Sequence, residues 1–455
     1  MVTLGLYYLP VLKSFQTITL VVASLIFYGA DQWRLLPLLA AAVAVTYLSM
    51  LGAIRGDVKS ATFGVVANLL ILCFFKYKFL LVPNLSLSHT GSDVLNFLLH
   101  LPLPIGISFF VFHNISLIVD YFKNGQDRDR PTPIQVVLYI IFFPQLVSGP
   151  ITRAISFLPQ IGPKLIRDVP WVQSSQLLIT GLFFKLFCAN NLAQVTALMA
   201  SELSSNTGGG DKLFLLFAYS FQIYADFFGY STMALGLALL FGYRLPVNFR
   251  LPYRADSFSD FWNRWHISLS RWLRQYLYLP LGGNRVSPIR VYCNLMTVMV
   301  LGGLWHGAAI SYALWGFAHG ALLVMERYGA HLLQRLSKDE YQFKSFHKIA
   351  YSFFVFVCVS LCWLLFRFQE FSQASSYFSS MLETPLLFKL SNDFYGFALL
   401  YMLPVFLQHF LSERVTLFAV GHKIKTIVSG AFFGAILWLA LAERGADTQF
   451  IYFRF

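Results

Sequence analysis

The sequence predicts an all-α integral membrane protein, a polytopic bundle of about 11 to 13 transmembrane helices with re-entrant and interfacial amphipathic helices. Three observations carry this expectation. Hydrophobic residues make up 57% of the chain and charged residues only 12%, against about 25% charged in soluble domains. Mean hydropathy is +0.61, and Phe, Tyr and Trp number 47, 23 and 9, more aromatic residues than one soluble core needs. Apolar runs recur from end to end, with no polar domain between them.

A spanning helix needs about 20 mostly apolar residues. The first candidate windows are Thr17 to Ala30 with its flanks, Leu35 to Ile54, Ala61 to Val82, Pro104 to Phe122 and Ile134 to Val147. The middle ones lie near Leu177 to Leu198, Leu213 to Phe228, Met233 to Tyr243, Val291 to Ala308 and Ser311 to Met325. Ile349 to Phe366, Phe394 to Phe410 and Ile427 to Leu441 complete the series. Gly and Pro interruptions make some of these half-length or re-entrant, and such breaks must be buried in protein or line a cavity. The chain reads as one membrane domain over 1–455: N-terminal helices in 1–100, a core with the motif segments in 101–330, and C-terminal helices in 331–455. The apolar N-terminus, with Lys13 before the first long run and no small-residue cleavage site, reads as an uncleaved first span. Cys73, Cys188, Cys293, Cys358 and Cys362 lack metal or disulfide spacing and read as small buried hydrophobes.

The formal net charge of +13 is unevenly spread. Between Arg244 and Arg290 stand eight arginines, no lysine and only Asp256 and Asp260, a net of +6. The positive-inside bias places this segment on the cytoplasmic side. Lysine would serve that bias equally well, whereas the planar guanidinium suits phosphate and carboxylate, so an anionic, phosphate-bearing donor is a reading of the arginines. Nucleic acid is not, since these cations are embedded among tryptophans. Phe258, Phe261, Trp262, Trp265, Leu269, Trp272, Leu273 and Tyr276 follow the spacing of one helix face. Ser257 or Asp256 can cap its start. Arg264, Arg271 and Arg274 fall opposite, which describes a helix lying in the membrane interface, with His266 at the border of its apolar stripe.

His89, His331, His347 and His422 have polar neighbours, but His306 and His319 lie deep in apolar windows. Ionisable groups there are costly and are candidates for function. Each sits between glycines, Gly303 and Gly307 around His306, Gly316 and Gly320 around His319, a spacing that also allows close helix approach. The stretch Gly307 to Tyr312 can break the helix between them. Imidazole is the natural general base near neutral pH, and His306 is the better placed for it, with His319 as a hydrogen-bonded structural histidine. No nucleophile elbow, Walker loop or His-Glu-x-x-His metal motif occurs.

The stretches Phe261-Trp-Asn-Arg-Trp-His-Ile-Ser-Leu-Ser270, Tyr276-Leu-Tyr-Leu-Pro-Leu-Gly-Gly-Asn-Arg285 and Gly303-Leu-Trp-His-Gly307 resemble the signature of the membrane-bound O-acyltransferase (MBOAT) family, and more closely its branch of bacterial alginate O-acetyltransferase membrane subunits. Further matches run from about residue 100 onward. They are Leu103–Phe109, Phe143–Ile151, Gln222–Asp226, Pro246–Phe249 with Pro252-Tyr253, Trp363–Arg367 and the terminal Ile451-Tyr-Phe453. The resemblance implies that His306 is the essential intramembrane histidine and His266 its upstream partner. It also implies a tunnel in which a cytoplasmic acyl donor and an extracytoplasmic acceptor meet at His306. Phe228 and Thr232 depart from the family pattern, so Asp226 keeps two readings, a substrate-side carboxylate or the partner of a buried arginine.

The site expected is therefore His306 and His266 for catalysis, with Trp305, Arg264, Arg271, Asn284, Tyr224 and Asp226 for substrate binding, and no metal. The expected activity is acetyl transfer from acetyl-CoA, a donor substrate with no bound cofactor, toward an extracytoplasmic polysaccharide. Expected partners are membrane lipid and extracytoplasmic acetyl-transfer proteins, and the expected location is the bacterial inner membrane. Two alternatives stand beside this: transfer of another acyl group, such as D-alanine to teichoic acid, and transport of a small or lipid-linked substrate. Against transport, no repeated half is visible.

Overall fold

The computed structural model describes residues 2–81, 99–125, 129–147, 149–201, 204, 206–336, 345–411, 422–446 and 448. His89 and Ile451-Tyr-Phe453 lie outside the described residues. Among the described residues the regular secondary structure is helical, with no strand. Five stretches are long and apolar enough to cross a membrane: Pro10–Ile54, Val58–Lys78, Trp171–Ala200, Gly209–Leu240 and Lys348–Arg367. Other apolar helices, among them Pro288–His306, Ile310–Leu336 and Asn392–Leu411, are shorter or carry more polar residues. The outer faces suit lipid, with Phe63, Leu70 and Phe353 each more than three-fifths exposed. Contacts cluster into two units, Met1–Ser175 with Ala234–Pro246, and Gln176–Met233 with Val247–Phe455.

The first unit is built on α1 (Gln16–Gln32), α2 (Leu36–Ile54), α3 (Val58–Leu81), α4 (Ile107–Asn124) and α5 (Pro133–Ile141). Asn68 joins three of them. It donates to Thr46 at 3.1 Å and accepts from Asn114 at 2.7 Å, a polar ladder among apolar neighbours. Such bonds hold helices together where burial supplies little drive. A capping box between Thr132 and Gln135, with Pro133 in the first turn, starts α5.

The second unit contains α6 (Gly209–Leu240, whose last turns belong to the first unit), α7 (Phe258–Arg264), α8 (Ile267–Leu273), α9 (Pro288–His306), α10 (Ile310–Leu336) and α11 (Ser345–Arg367). α9 and α10 form a hairpin, broken after His306 within the Gly307 to Tyr312 stretch that can interrupt a helix. Its backbones nearly touch: a Cβ on Gly303 would collide with the Tyr312 carbonyl, and one on Gly316 with the Met299 carbonyl. α11 runs antiparallel to α10. Tyr312 meets Phe366 at 5.4 Å between ring centroids near one end, and Tyr351 donates to Glu326 at 3.1 Å near the other.

The cysteine expectation holds for Cys188 and Cys362 only; Cys73 and Cys293 are exposed. In a membrane protein an apolar stretch can face lipid as readily as core, so apolar neighbours do not imply burial. Replacing Gly316 by Leu should lower the thermal midpoint in detergent by the equivalent of about 1–3 kcal/mol or more. Gly329→Leu, with open space around its Cβ position, should leave that midpoint unchanged.

Candidate active site

The segment from Asn248 to Tyr278 forms the first wall. The Ser257 hydroxyl caps α7, accepting from the Asp260 amide at 2.9 Å, as expected from sequence. The Glu326 carboxylate of α10 accepts from the Phe258 and Ser259 amides at 2.9 and 3.0 Å. A negative charge thus sits on the positive end of a helix and ties α7 to α10.

The single interfacial helix expected here does not form. The chain leaves the helix after Arg264 and re-enters it at Ile267, and His266 adopts φ 41° and ψ 52°, the left-handed region. The extended residues before α7 capture the broken ends. Arg250 N–H donates to the Arg264 carbonyl at 3.0 Å, and Ile267 N–H to the Asn248 carbonyl at 2.9 Å. The Ser268 hydroxyl donates to Asn248 Oδ1 at 2.6 Å. These bonds satisfy backbone groups that a break would otherwise leave open. The aromatic stripe is buried rather than laid on lipid: Phe261, Trp265 and Leu269 are each 1% exposed. Periodicity was right about which residues share a face and silent about the protein that covers it.

Both motif histidines are buried, His266 fully and His306 to 4% exposure. His306 is the last residue of α9. Its ring lies 4.9 Å from Trp305, 5.2 Å from Trp315 and 5.2 Å from Phe366. His266 packs at 4.6 Å on Phe227 and 6.1 Å from Trp305. Trp305 therefore stands against both imidazoles. His319 lies one layer away, against Trp315 (4.8 Å), Trp262 (5.1 Å) and Phe261 (6.0 Å, stacked). Its Nε2 has no hydrogen-bond partner among the described residues. His319, read from sequence as a structural histidine, is enclosed by aromatic rings.

His306 lines a cavity of about 340 Å³, together with Trp262, Trp315, Arg274, Tyr278 and Arg327. A second cavity of about 370 Å³ shares Arg274, Tyr278 and Asn284 with it and adds Arg285. Asn284 Oδ1 accepts from Tyr278 at 2.6 Å and from Arg327 at 3.1 Å, so one carbonyl fixes both donors. Arg327 lies 15 positions along α10 from Tyr312, whose ring closes over Gly307 beside His306. At 1.5 Å per residue that is roughly 22 Å. The arrangement sets an imidazole and a guanidinium group far apart along one cavity.

Of the residues expected from sequence, His306 and Asn284 line these cavities, Trp305 packs beside His306, and His266 lies on the other side of Trp305. Arg264 and Arg271 are not among the lining residues. Arg264 is held by Asp260 at 2.6 Å, and Arg271 is exposed. Arg274, Arg285 and Arg327 hold the lining positions, and nothing in the local spacing separated them from the other arginines. Tyr224 donates to Gln408 at 3.0 Å and meets the buried His409 edge-on at 4.7 Å. Asp226 pairs with Lys185 at 2.7 Å, and Lys185 also donates to the Thr448 carbonyl at 3.1 Å. Lys185 reaches it from a π-helical stretch, Phe183–Ala189, an irregularity no periodic pattern announces. Among the described residues no three His, Cys, Asp or Glu side chains gather as a metal would require.

The model of the MBOAT, membrane-bound O-acyltransferase family matches residues 50–368. The chain is 36% identical over 388 residues to a probable alginate O-acetylase AlgI of Pseudomonas syringae pv. tomato, covering 83% of this chain and 72% of that one. It is 34% identical over 401 residues to a peptidoglycan O-acetyltransferase of Helicobacter pylori, covering 79% and 72%. To a teichoic acid D-alanyltransferase of Bacillus subtilis it is 27% identical over 237 residues, covering 48% and 58%.

The buried ion pair gives a test of its own. Lys185→Met should cost about 3–5 kcal/mol by stranding a buried carboxylate, and the double variant Lys185→Met, Asp226→Asn should recover most of that loss in thermal unfolding.

Proposed function

Because the chain belongs to the membrane-bound O-acyltransferase family, and is thus a multi-pass membrane O-acyltransferase, we propose that it moves an acetyl group from cytoplasmic acetyl-CoA to an extracytoplasmic acceptor. The acceptor is a polysaccharide hydroxyl, or a partner protein that completes the transfer, at the bacterial inner membrane. Acetyl is favoured over D-alanyl by the relatives. Those named for acetyl transfer match at 34–38% identity, and those named for D-alanyl transfer at 27% over shorter stretches.

The carrying observation is His306 in one cavity with Arg274 and Arg327. The three guanidinium groups of Arg274, Arg285 and Arg327 take the phosphates of the donor, and its acetyl-pantetheine arm runs toward His306. His306 accepts the proton of the acceptor hydroxyl as that oxygen attacks the thioester carbonyl. The tetrahedral intermediate collapses, the C–S bond breaks, and the leaving thiolate takes the proton back from His306. Acetyl ester and CoA thiol leave, and the histidine returns to its neutral form. Trp305, packed against both imidazoles, keeps the His306 ring in place.

Radiolabelled acetyl-CoA, offered to the purified protein in lipid nanodiscs with its extracytoplasmic partner, tests this directly. His306→Ala should lower transfer by about 10²–10⁴-fold with the fold intact. His266→Ala should also impair transfer, and His319→Ala should remain largely active. Wild-type protein that transfers nothing, or a fully active His306→Ala, would sink the mechanism. Arg274→Ala and Arg327→Ala should each raise KM for acetyl-CoA about tenfold or more with a smaller change in kcat, since they bind the donor away from the reacting carbon. An unchanged KM in both would remove them from the donor site.

A further inference from the structure

Transfer through a tetrahedral intermediate places negative charge on the former carbonyl oxygen, and a general base offers that oxygen nothing. His306 is the last residue of α9, where the helix carbonyls form the negative end of the dipole. That end favours an imidazolium and opposes an oxyanion. A fixed hydrogen-bond donor aimed at the oxygen offsets this, most effectively where water is excluded. Base and donor act on neighbouring atoms of one reacting centre, so the donor belongs among the groups packed on His306.

Three rings meet the His306 imidazole: Trp305, Trp315 and Phe366. Phe366 carries no donor, and it lines a different cleft, of about 560 Å³, that Arg367 also borders. Trp305 packs on His266 as well and is not among the residues lining the His306 cavity. Trp315 does line that cavity. It is 2% exposed, and its Nε1–H is buried with no acceptor among the described residues. An indole N–H can only donate, and it usually finds a partner when buried. The Trp315 and His306 rings cross at 90° with 5.2 Å between centroids, close enough to address one small group together. The other uncharged donors on the lining are engaged, exposed or more remote. Ser270 donates to the Trp265 carbonyl at 3.4 Å and Tyr278 to Asn284 at 2.6 Å, while Ser259 and Asn263 are exposed. Trp262 meets Trp315 at 5.7 Å and His319 at 5.1 Å, one ring removed from His306.

Trp315 is also held as a preorganised donor needs to be. The next residue, Gly316, has its backbone against the Met299 carbonyl of α9, which fixes where the indole leaves its helix. Trp363 stacks on the indole at 5.7 Å, His319 meets it at 4.8 Å and Phe366 at 5.6 Å. A donor clamped in this way needs no reorganisation when charge develops beside it.

We propose that Trp315 is a catalytic residue whose Nε1–H donates to the thioester carbonyl oxygen and holds it as it becomes negative. The proposal rests on the acetyl-transfer reading of His306 and supplies the donor which that mechanism lacks. As the acceptor oxygen bonds to the carbonyl carbon, its proton passes to His306 and the π electrons move onto the carbonyl oxygen. The indole keeps its proton and holds that oxygen at about 2.7–3.1 Å. When the carbonyl re-forms, the C–S bond breaks and the leaving thiolate takes the proton from His306.

Replacing the Trp315 indole by benzothiophene, an isosteric ring with sulfur in place of N–H, removes the donor and keeps the packing. Trp315→Phe is the simpler variant, and the isostere keeps the test decisive if that variant fails to fold. In nanodiscs the isostere should lower kcat for acetyl transfer by about 10²–10³-fold, with little change in KM for acetyl-CoA. The same replacement at Trp363, which stacks on Trp315 and borders neither cleft, should leave kcat unchanged. Infrared difference spectra of acetyl-CoA labelled at its carbonyl carbon, bound without acceptor, give a readout that packing alone would not move. The carbonyl stretch should lie lower in wild-type protein than in the Trp315 isostere. An isostere with wild-type kcat overturns the proposal and leaves the reading of His306 standing. So does a slow isostere whose carbonyl stretch matches wild type, because the indole then acts by packing alone. Wild-type protein that transfers no acetyl group overturns the reading of His306 and the proposal with it.

Discussion

Where Gly303 and Gly316 bring the backbones of α9 and α10 into contact, there is no room for a side chain, and the positions of the surrounding groups follow from that contact. The hairpin can turn immediately after His306, so the imidazole sits at a helix end in place of a helix flank. Tyr312 then closes over Gly307, and Trp315, one turn further, reaches the His306 ring. The tryptophans, phenylalanines and His319 stack around that point because the two helices leave only thin, flat spaces, which planar rings fill well. A site assembled this way is close-packed on its α9–α10 side, which suits the proton transfer proposed for His306.

Charge in this fold follows a simple division. Some charged groups are neutralised inside the protein: Lys185 with Asp226, Arg153 with Asp120, and Glu326 on the amides that open α7. A few arginines line space. Arg274, Arg285 and Arg327 border the cavities connected to His306, and Arg367 borders the cleft beyond Phe366. In a bundle surrounded by lipid, a cation that is neither paired nor at a headgroup has to be facing something polar. The distribution of arginines therefore outlines the polar spaces of the second unit, and the aromatic layer at His306 borders them.

Much of this was legible in the chain itself. Apolar runs of spanning length, in a sequence 12% charged, leave helices as the only economical backbone. The glycine frames around His306 and His319 allowed close helix approach, the stretch between them could break the helix, and Ser257 was one of two candidates for a helix start. The motif stretches carried the family, and with it the class of reaction. What these have in common is that each depends on residues near one another in sequence.

The remainder depends on neighbours that arrive from elsewhere. Residues 258–276 have the periodicity of one continuous helix, yet the chain breaks at His266 because Asn248 and Arg250 offer better partners to the loose ends. Asp226 finds a lysine from a π-helical turn that no spacing rule reveals. Arg264 and Arg274 look alike in sequence, but Asp260 holds the first while the second borders the cavity. Local spacing determined which residues are apolar, which are helical and which are reactive in kind. Only tertiary packing decided which of them face a ligand, because burial, pairing and access are properties of the space between segments distant along the chain.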